Sequence, residues 1–136
     1  MFNDGVLVDT NVVLDVVGDS PDWGDWSQEQ LERFALTHRL VINPVIYAEI
    51  SAGFRDIAEL EQTLQTMGLS VEPIPREALF LAGKAFQRYR KAKGRRIGVL
   101  PDFFIGAHAA VTDMAVLTRD KGRYRTYFPT IRLIAP

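Results

Sequence analysis

Four carboxylates stand where strands end or helices begin, or on a helix face crowded with apolar residues. Asp9 closes the apolar run Gly5-Val-Leu-Val8 and opens the apolar-periodic run after it. Asp120 comes straight after Ala115-Val-Leu-Thr118, in Thr118-Arg119-Asp120. Asp102 follows Pro101 at the start of a helix that is almost wholly apolar through Val111. It is the only charge between Arg96 and Asp113. Glu49, placed by a rotation of about 100° per residue from Val45, projects into an arc filled by Ile46, Ala48, Ile50, Ala52, Gly53 and Phe54. It is therefore expected to face the core, where an ionised group needs a partner or a metal. Each carboxylate also has an ordinary reading. Asp9 fits a helix cap, Asp102 a complement to a helix dipole and Asp120 a turn aspartate. Glu49 fits half of an ion pair with an arginine. What separates the readings is whether the four converge.

Converging carboxylates repel, and each raises the pKa of the others unless a cation neutralises them. An all-oxygen set of this kind suits Mg²⁺ or Mn²⁺ and not zinc. Such an ion activates water and offsets charge on a phosphoryl group, so the constellation points to metal-assisted phosphoester chemistry. Competing motifs are missing. There is no Gly-Lys-Ser/Thr phosphate loop, and no Gly-x-Gly-x-x-Gly follows a strand. Asn11 stands two residues after Asp9, where phosphatases that attack through an Asp commonly carry a second Asp. There is no serine nucleophile elbow. Neither histidine is expected to bind metal. His38 lies at a helix end, and His108 is about 240° around its helix from Asp102, which suits a structural hydrogen bond.

The elements that must position these residues alternate. Strands are expected at 5–8, 40–43, 71–74, 115–118 and 131–134. A first helix follows Asp9. Further helices are expected at 27–37 with Ser27 as cap, from Pro44, from Asp56 to Gly68, from Arg76 to Gly94, and from Pro101. Short apolar strands alternating with helices predict a parallel sheet covered on both faces, a three-layer α/β/α sandwich. Gly18 to Trp26 is a Gly/Pro/Asp-rich break whose two tryptophans either cover the core or present an apolar contact.

The 136 residues suffice for one domain, residues 1–136, with its own core. The absence of cysteine rules out disulfides and thiolate metal sites and fits a reducing cytosol. No signal core or membrane-length apolar run is seen, so the expectation is a soluble, cytoplasmic protein. The net charge of −1 hides a split. Residues 1–68 hold 12 acidic against 3 basic side chains, and residues 69–136 hold 5 against 13. Such asymmetry points mildly to a polyanion or a charged partner.

The pieces Val8-Asp9-Thr10-Asn11-Val12, Ala48-Glu49-Ile50, Pro101-Asp102-Phe103-Phe104-Ile105-Gly106-Ala107-His108-Ala109 and Leu117-Thr118-Arg119-Asp120 together resemble the PIN-domain ribonucleases, specifically the VapC-type toxins of bacterial toxin–antitoxin pairs. Order and spacing agree across essentially the whole chain. The resemblance implies a five-stranded parallel sheet, a Mg²⁺- or Mn²⁺-dependent endoribonuclease, a cognate VapB-like antitoxin that blocks the cleft, and a homodimer. By motif position, Asp9, Glu49, Asp102 and Asp120 are the catalytic and metal-binding acids, with Asn11 and Thr118 as supporting polar residues. One departure is Arg123, at a position where some relatives carry a further acid. RNA would be met by positive charge at Arg88, Arg95, Arg96, Arg119, Lys121 and Arg123, and a solvated helix end is the alternative for 88–96. Trp23, Trp26 and Phe54 are candidates for a dimer face. Two rival readings remain, a non-catalytic binding module of the same fold and a metal-dependent phosphatase.

Overall fold

The computed structural model describes residues 3–92 and 94–136. Five strands form one parallel sheet: β1 (Gly5–Val8), β2 (Arg39–Ile42), β3 (Ser70–Val71), β4 (Ala115–Leu117) and β5 (Leu133–Ile134), in spatial order β3-β2-β1-β4-β5. β1 is central, with Val6 opposite Leu40 on one side and opposite Ala115 on the other. The connections β1–β2 and β2–β3 step one way along the sheet, and β3–β4 and β4–β5 step back. Right-handed crossovers then lay helices on both faces, which gives the expected three layers. Every residue of β1 is buried, as a strand covered on both faces must be.

The helices are α1 (Thr10–Val17), α2 (Gly24–Ala35), α3 (Pro44–Ser51), α4 (Ile57–Met67), α5 (Arg76–Lys91), α6 (Leu100–Thr112) and α7 (Gly122–Arg125). Local chemistry sets several ends. The Asn43 side chain accepts from Ile46 N at 2.9 Å with Pro44 in the first turn, and Asp56 accepts from Glu59 N at 2.9 Å. Gly68 closes α4 at φ 73°, a conformation that favours glycine. Among the described residues no helix is long and apolar enough to cross a membrane.

Some expectations shift. α2 begins at Gly24, not Ser27, and ends at Ala35. Ser27 is buried inside it and donates to Asp15 Oδ2 at 2.9 Å, so its hydroxyl serves an inter-helix bond instead of a cap. The outer strands β3 and β5 are two residues each, because Pro73 and the chain's departure leave little to pair. α5 ends at Lys91, and Lys93, within the expected helix and basic run, lies outside the described residues. Trp23, Trp26 and Phe54 do not form an exposed apolar face. All three are half-buried, and Trp26 and Phe54 pack against the sheet core. The strongly exposed apolar side chains are Leu36, Ile57 and Phe80.

The sheet core is one cluster, centred on β1, β2 and β4 and closed by α1, α3 and α6. A second cluster joins Ala78, Ala82 and Ala85 of α5 to Phe103 and Ala107 of α6 and to Phe128. Phe128 lies so close to Gly106 that a Cβ there would come within 2.4 Å of its ring. This contact seats the segment after α7 on α6. Gly106→Ala is expected to lower stability by about 1–3 kcal/mol despite the better helix propensity of alanine, because overpacking outweighs it. Urea unfolding checks this, and Phe128→Leu should recover part of the loss in the double variant.

Candidate active site

The sheet reverses its winding between β1 and β4, and the carboxyl ends of these strands form a crevice there. Asp9 leaves β1 with an extended backbone, φ −64° and ψ 150°, and its amide donates to Leu117 O at 2.9 Å. The ladder thus runs one residue past β1 and pins Asp9 to the rim. Its side chain makes no capping bond to α1, so the simple cap reading fails. Instead Oδ2 accepts from Thr118 Oγ1 and Tyr124 OH, each at 2.8 Å, and from Asn11 Nδ2 at 3.4 Å. Oδ1 has no partner, the sole buried side-chain polar atom so placed among the described residues. Asp9 is 1% exposed, and leaving such an oxygen unpartnered costs on the order of 1–3 kcal/mol or more.

Asn11 and Thr118, expected as supporting polar residues, both also bond to the turn after β4. Thr118 Oγ1 accepts from Asp120 N at 3.0 Å, and Asn11 Oδ1 accepts from Arg119 N at 3.3 Å. The turn after β4 is therefore tied to the start of α1. Tyr124 was not anticipated. It is fully buried, and burial together with the Asp9 and Asp102 carboxylates holds its hydroxyl well above the usual tyrosine pKa. It therefore stays a neutral donor. The one signal in the sequence is a lone aromatic in the basic stretch Lys121-Gly-Arg-Tyr-Arg125.

Glu49 departs from expectation. It is exposed, not turned into the core. Alanine and glycine are apolar on a helical wheel without having to be buried. α3 ends at Ser51, only Ile46 and Ile50 within it are buried, and Ala48, Ala52 and Gly53 are exposed. The buried stripe is thus narrower and rotated away from Glu49. Glu49 nevertheless lines the same cleft as Asp102 and Asp120, and Thr10 Oγ1 donates to its Oε1 at 2.6 Å. Thr10, the residue after Asp9, thereby aims the α3 carboxylate at the rim.

Asp102 sits in the first turn of α6 with its side chain 15% exposed, and Asp120 is 48% exposed after β4. Arg123 of α7 bridges them, with Nε 2.9 Å from Asp120 Oδ2 and Nη1 3.5 Å from Asp102 Oδ1. Burial raises the Asp102 pKa to about 6. Arg123 opposes this, while Asp9, Glu49 and Asp120 add to it. One carboxyl that feels the other three marks a shared cleft, although among the described residues no three acids are gathered tightly enough to hold one ion as they stand.

The donor set fits a hard divalent cation. It is all oxygen, and its deepest atom, Asp9 Oδ1, has no competing donor. Of the six basic residues expected to meet RNA, Arg88, Arg95, Arg96, Lys121 and Arg123 are exposed, and Arg96 and Arg123 line the cleft beside Asp102. Arg119 is not available in this way. Its Nε is 2.9 Å from Asp15 Oδ2, and its guanidinium lies 5.6 Å over the Trp23 ring. His108 is buried beside Asn43, its Nδ1 3.2 Å from Nδ2, and burial lowers its pKa, in keeping with a structural role.

The raised Asp102 pKa carries a sign. Unfolded, this carboxyl ionises near 3.8; folded, near 6. Its charge therefore costs nothing below the unfolded value, and the cost grows as pH rises through 6. Asp102→Asn is expected to stabilise the metal-free protein by about 1–3 kcal/mol at pH 7.5. The gain should fade toward pH 4, and denaturant titrations at the two pH values measure it.

A family model described as PIN domain matches residues 6–129. No curated protein matches the sequence. Among solved structures, the chain is similar to one of VapBC2 from Rickettsia felis bound to a DNA fragment from its promoter. The TM-score is 0.73 at 19% identity, covering 96% of this chain and 98% of that one. It is also similar to DNA-bound VapBC from Salmonella typhimurium (TM-score 0.69, 21% identity, 99% and 98% covered). VapBC-1 from nontypeable Haemophilus influenzae matches at TM-score 0.68 and 18% identity, covering 96% and 97%. With the family match running through nearly all of the sheet and its cleft, this chain belongs to the PIN domain family.

Proposed function

We propose that this chain is a VapC-type toxin, an endoribonuclease that hydrolyses RNA phosphodiesters with the help of Mg²⁺ or Mn²⁺. The observation that carries the reading is Asp9 Oδ1, a buried and unpartnered carboxylate oxygen on a side chain whose charge reaches Asp102, in the cleft that Glu49, Asp102 and Asp120 line. Asp9, Glu49 and Asp102 would hold the cation, with Asp120 a ligand or an orienter of water beside it. When bound, the cation supplies a water of lowered pKa and offsets charge on the phosphoryl group.

The chain's own residues supply placement. Thr118, Tyr124 and Asn11 fix the Asp9 carboxylate through Oδ2, which leaves Oδ1 for a ligand. Thr10 holds Glu49 at the same rim. Arg96 and Lys121, with Arg88, Arg95 and Arg123, form the basic surround for single-stranded or loop RNA. Phosphate contacts of this kind predict binding that weakens steeply with salt. The fold's likeness to VapBC structures supports a VapB-like antitoxin as partner; that the antitoxin covers the cleft, that the chain forms a homodimer and that it acts in the cytoplasm belong to the same proposal.

Purified protein is expected to cleave RNA with Mg²⁺ or Mn²⁺ and to stop on EDTA addition. Asp9→Asn should lower the rate at least a hundredfold while circular dichroism stays unchanged. A single-stranded DNA of the same sequence and a small phosphomonoester serve as controls. Cleavage of the phosphomonoester alone would make the protein a phosphatase. RNA binding without cleavage would make it a non-catalytic module.

A further inference from the structure

We propose that Arg123 is a tethered cation that occupies the acidic cleft and competes with the divalent metal for Asp102 and Asp120. The inference rests on the metal-site reading above and adds to it a residue that sets how readily the metal enters. Arg123 sits three residues after Asp120, on the single turn of α7, and spans both carboxylates with Nε at 2.9 Å and Nη1 at 3.5 Å. Asp9 is near enough to raise the Arg123 pKa together with them.

The two partners differ in freedom. Asp102 is anchored in α6 and largely covered, whereas the Arg123 side chain is 42% exposed and can swing to solvent. A carboxylate oxygen paired with a guanidinium must release it before joining a cation, so the pairing energy is subtracted from metal binding. Half-exposed pairs are individually modest, but a planar fork that bridges two acids adds geometry as well as charge. Arg123 and Arg96 line the same cleft, where a substrate phosphate would arrive.

Isothermal titration of Mn²⁺ into the metal-free protein tests this, paired with thermal unfolding with and without Mn²⁺. Arg123→Ala is expected to bind Mn²⁺ about two- to fivefold tighter, on the scale of one partly exposed ion pair. Its Tm should fall without metal and rise further than wild type when Mn²⁺ is added. Arg123→Lys should fall between the two, because a lysine keeps the charge but cannot bridge both acids. An arginine that only braces α7 would lower Tm equally in both conditions and leave the Kd unchanged, and that result overturns the proposal. If Asp9→Asn abolishes Mn²⁺ binding while Arg123→Ala leaves the Kd as in wild type, the metal site stands and the role of Arg123 falls. If wild type and Arg123→Ala both fail to bind Mn²⁺, both readings fall.

Discussion

Like charges brought to one rim of a sheet must be held apart or neutralised, and much of this structure answers that requirement at Asp9. The carboxylate is buried at the end of the central strand, where a lone anion is costly. Three donors satisfy one of its oxygens and none the other. The donors come from α1, from the end of β4 and from α7, elements that meet only when the sheet is complete.

The surrounding architecture serves that meeting. β1 and β4 are neighbours in space and far apart in sequence, so the crevice beyond them combines residues near 9 with residues near 120. α6 delivers Asp102 from a face otherwise committed to packing, with Phe103 buried in one cluster and Ile105 in the other. Gly106 lets Phe128 close on that helix, and Phe128 in turn seats the segment that carries Tyr124. The chain from Gly106 through Phe128 and Tyr124 to Asp9 links packing directly to the chemistry of the rim.

Much of this was legible in the sequence, for physical reasons. Strands buried on both faces must be apolar runs, so β1, β2 and β4 stood out, and their carboxyl ends pointed to Asp9 and Asp120. Asp102 was legible as the one charge in an apolar segment. Glu49 lines a cleft with Asp102 and Asp120, yet the helical-wheel reading that turns it into the core does not hold. Alanine and glycine count as apolar on a helical wheel, yet Ala48 and Gly53 face solvent, and the true buried stripe is Ile46 and Ile50. Tyr124 and the pairing of Arg119 with Asp15 were not legible, because their partners lie 115 and 104 residues away and no local pattern announces them. α7, at four residues, is too short for periodicity to mark.

The proposed nuclease chemistry requires Asp9 Oδ1 as the anchor of a divalent cation. The most direct measurement is a crystal structure grown with Mn²⁺, using its anomalous scattering to locate the ion without reference to the protein coordinates. The expected result is a peak bonded to Asp9 Oδ1 at roughly 2.0–2.3 Å, with Asp102 and Glu49 drawn toward it. A well-ordered crystal with no peak at that oxygen, or with Oδ1 bonded to a protein donor in its place, would contradict it.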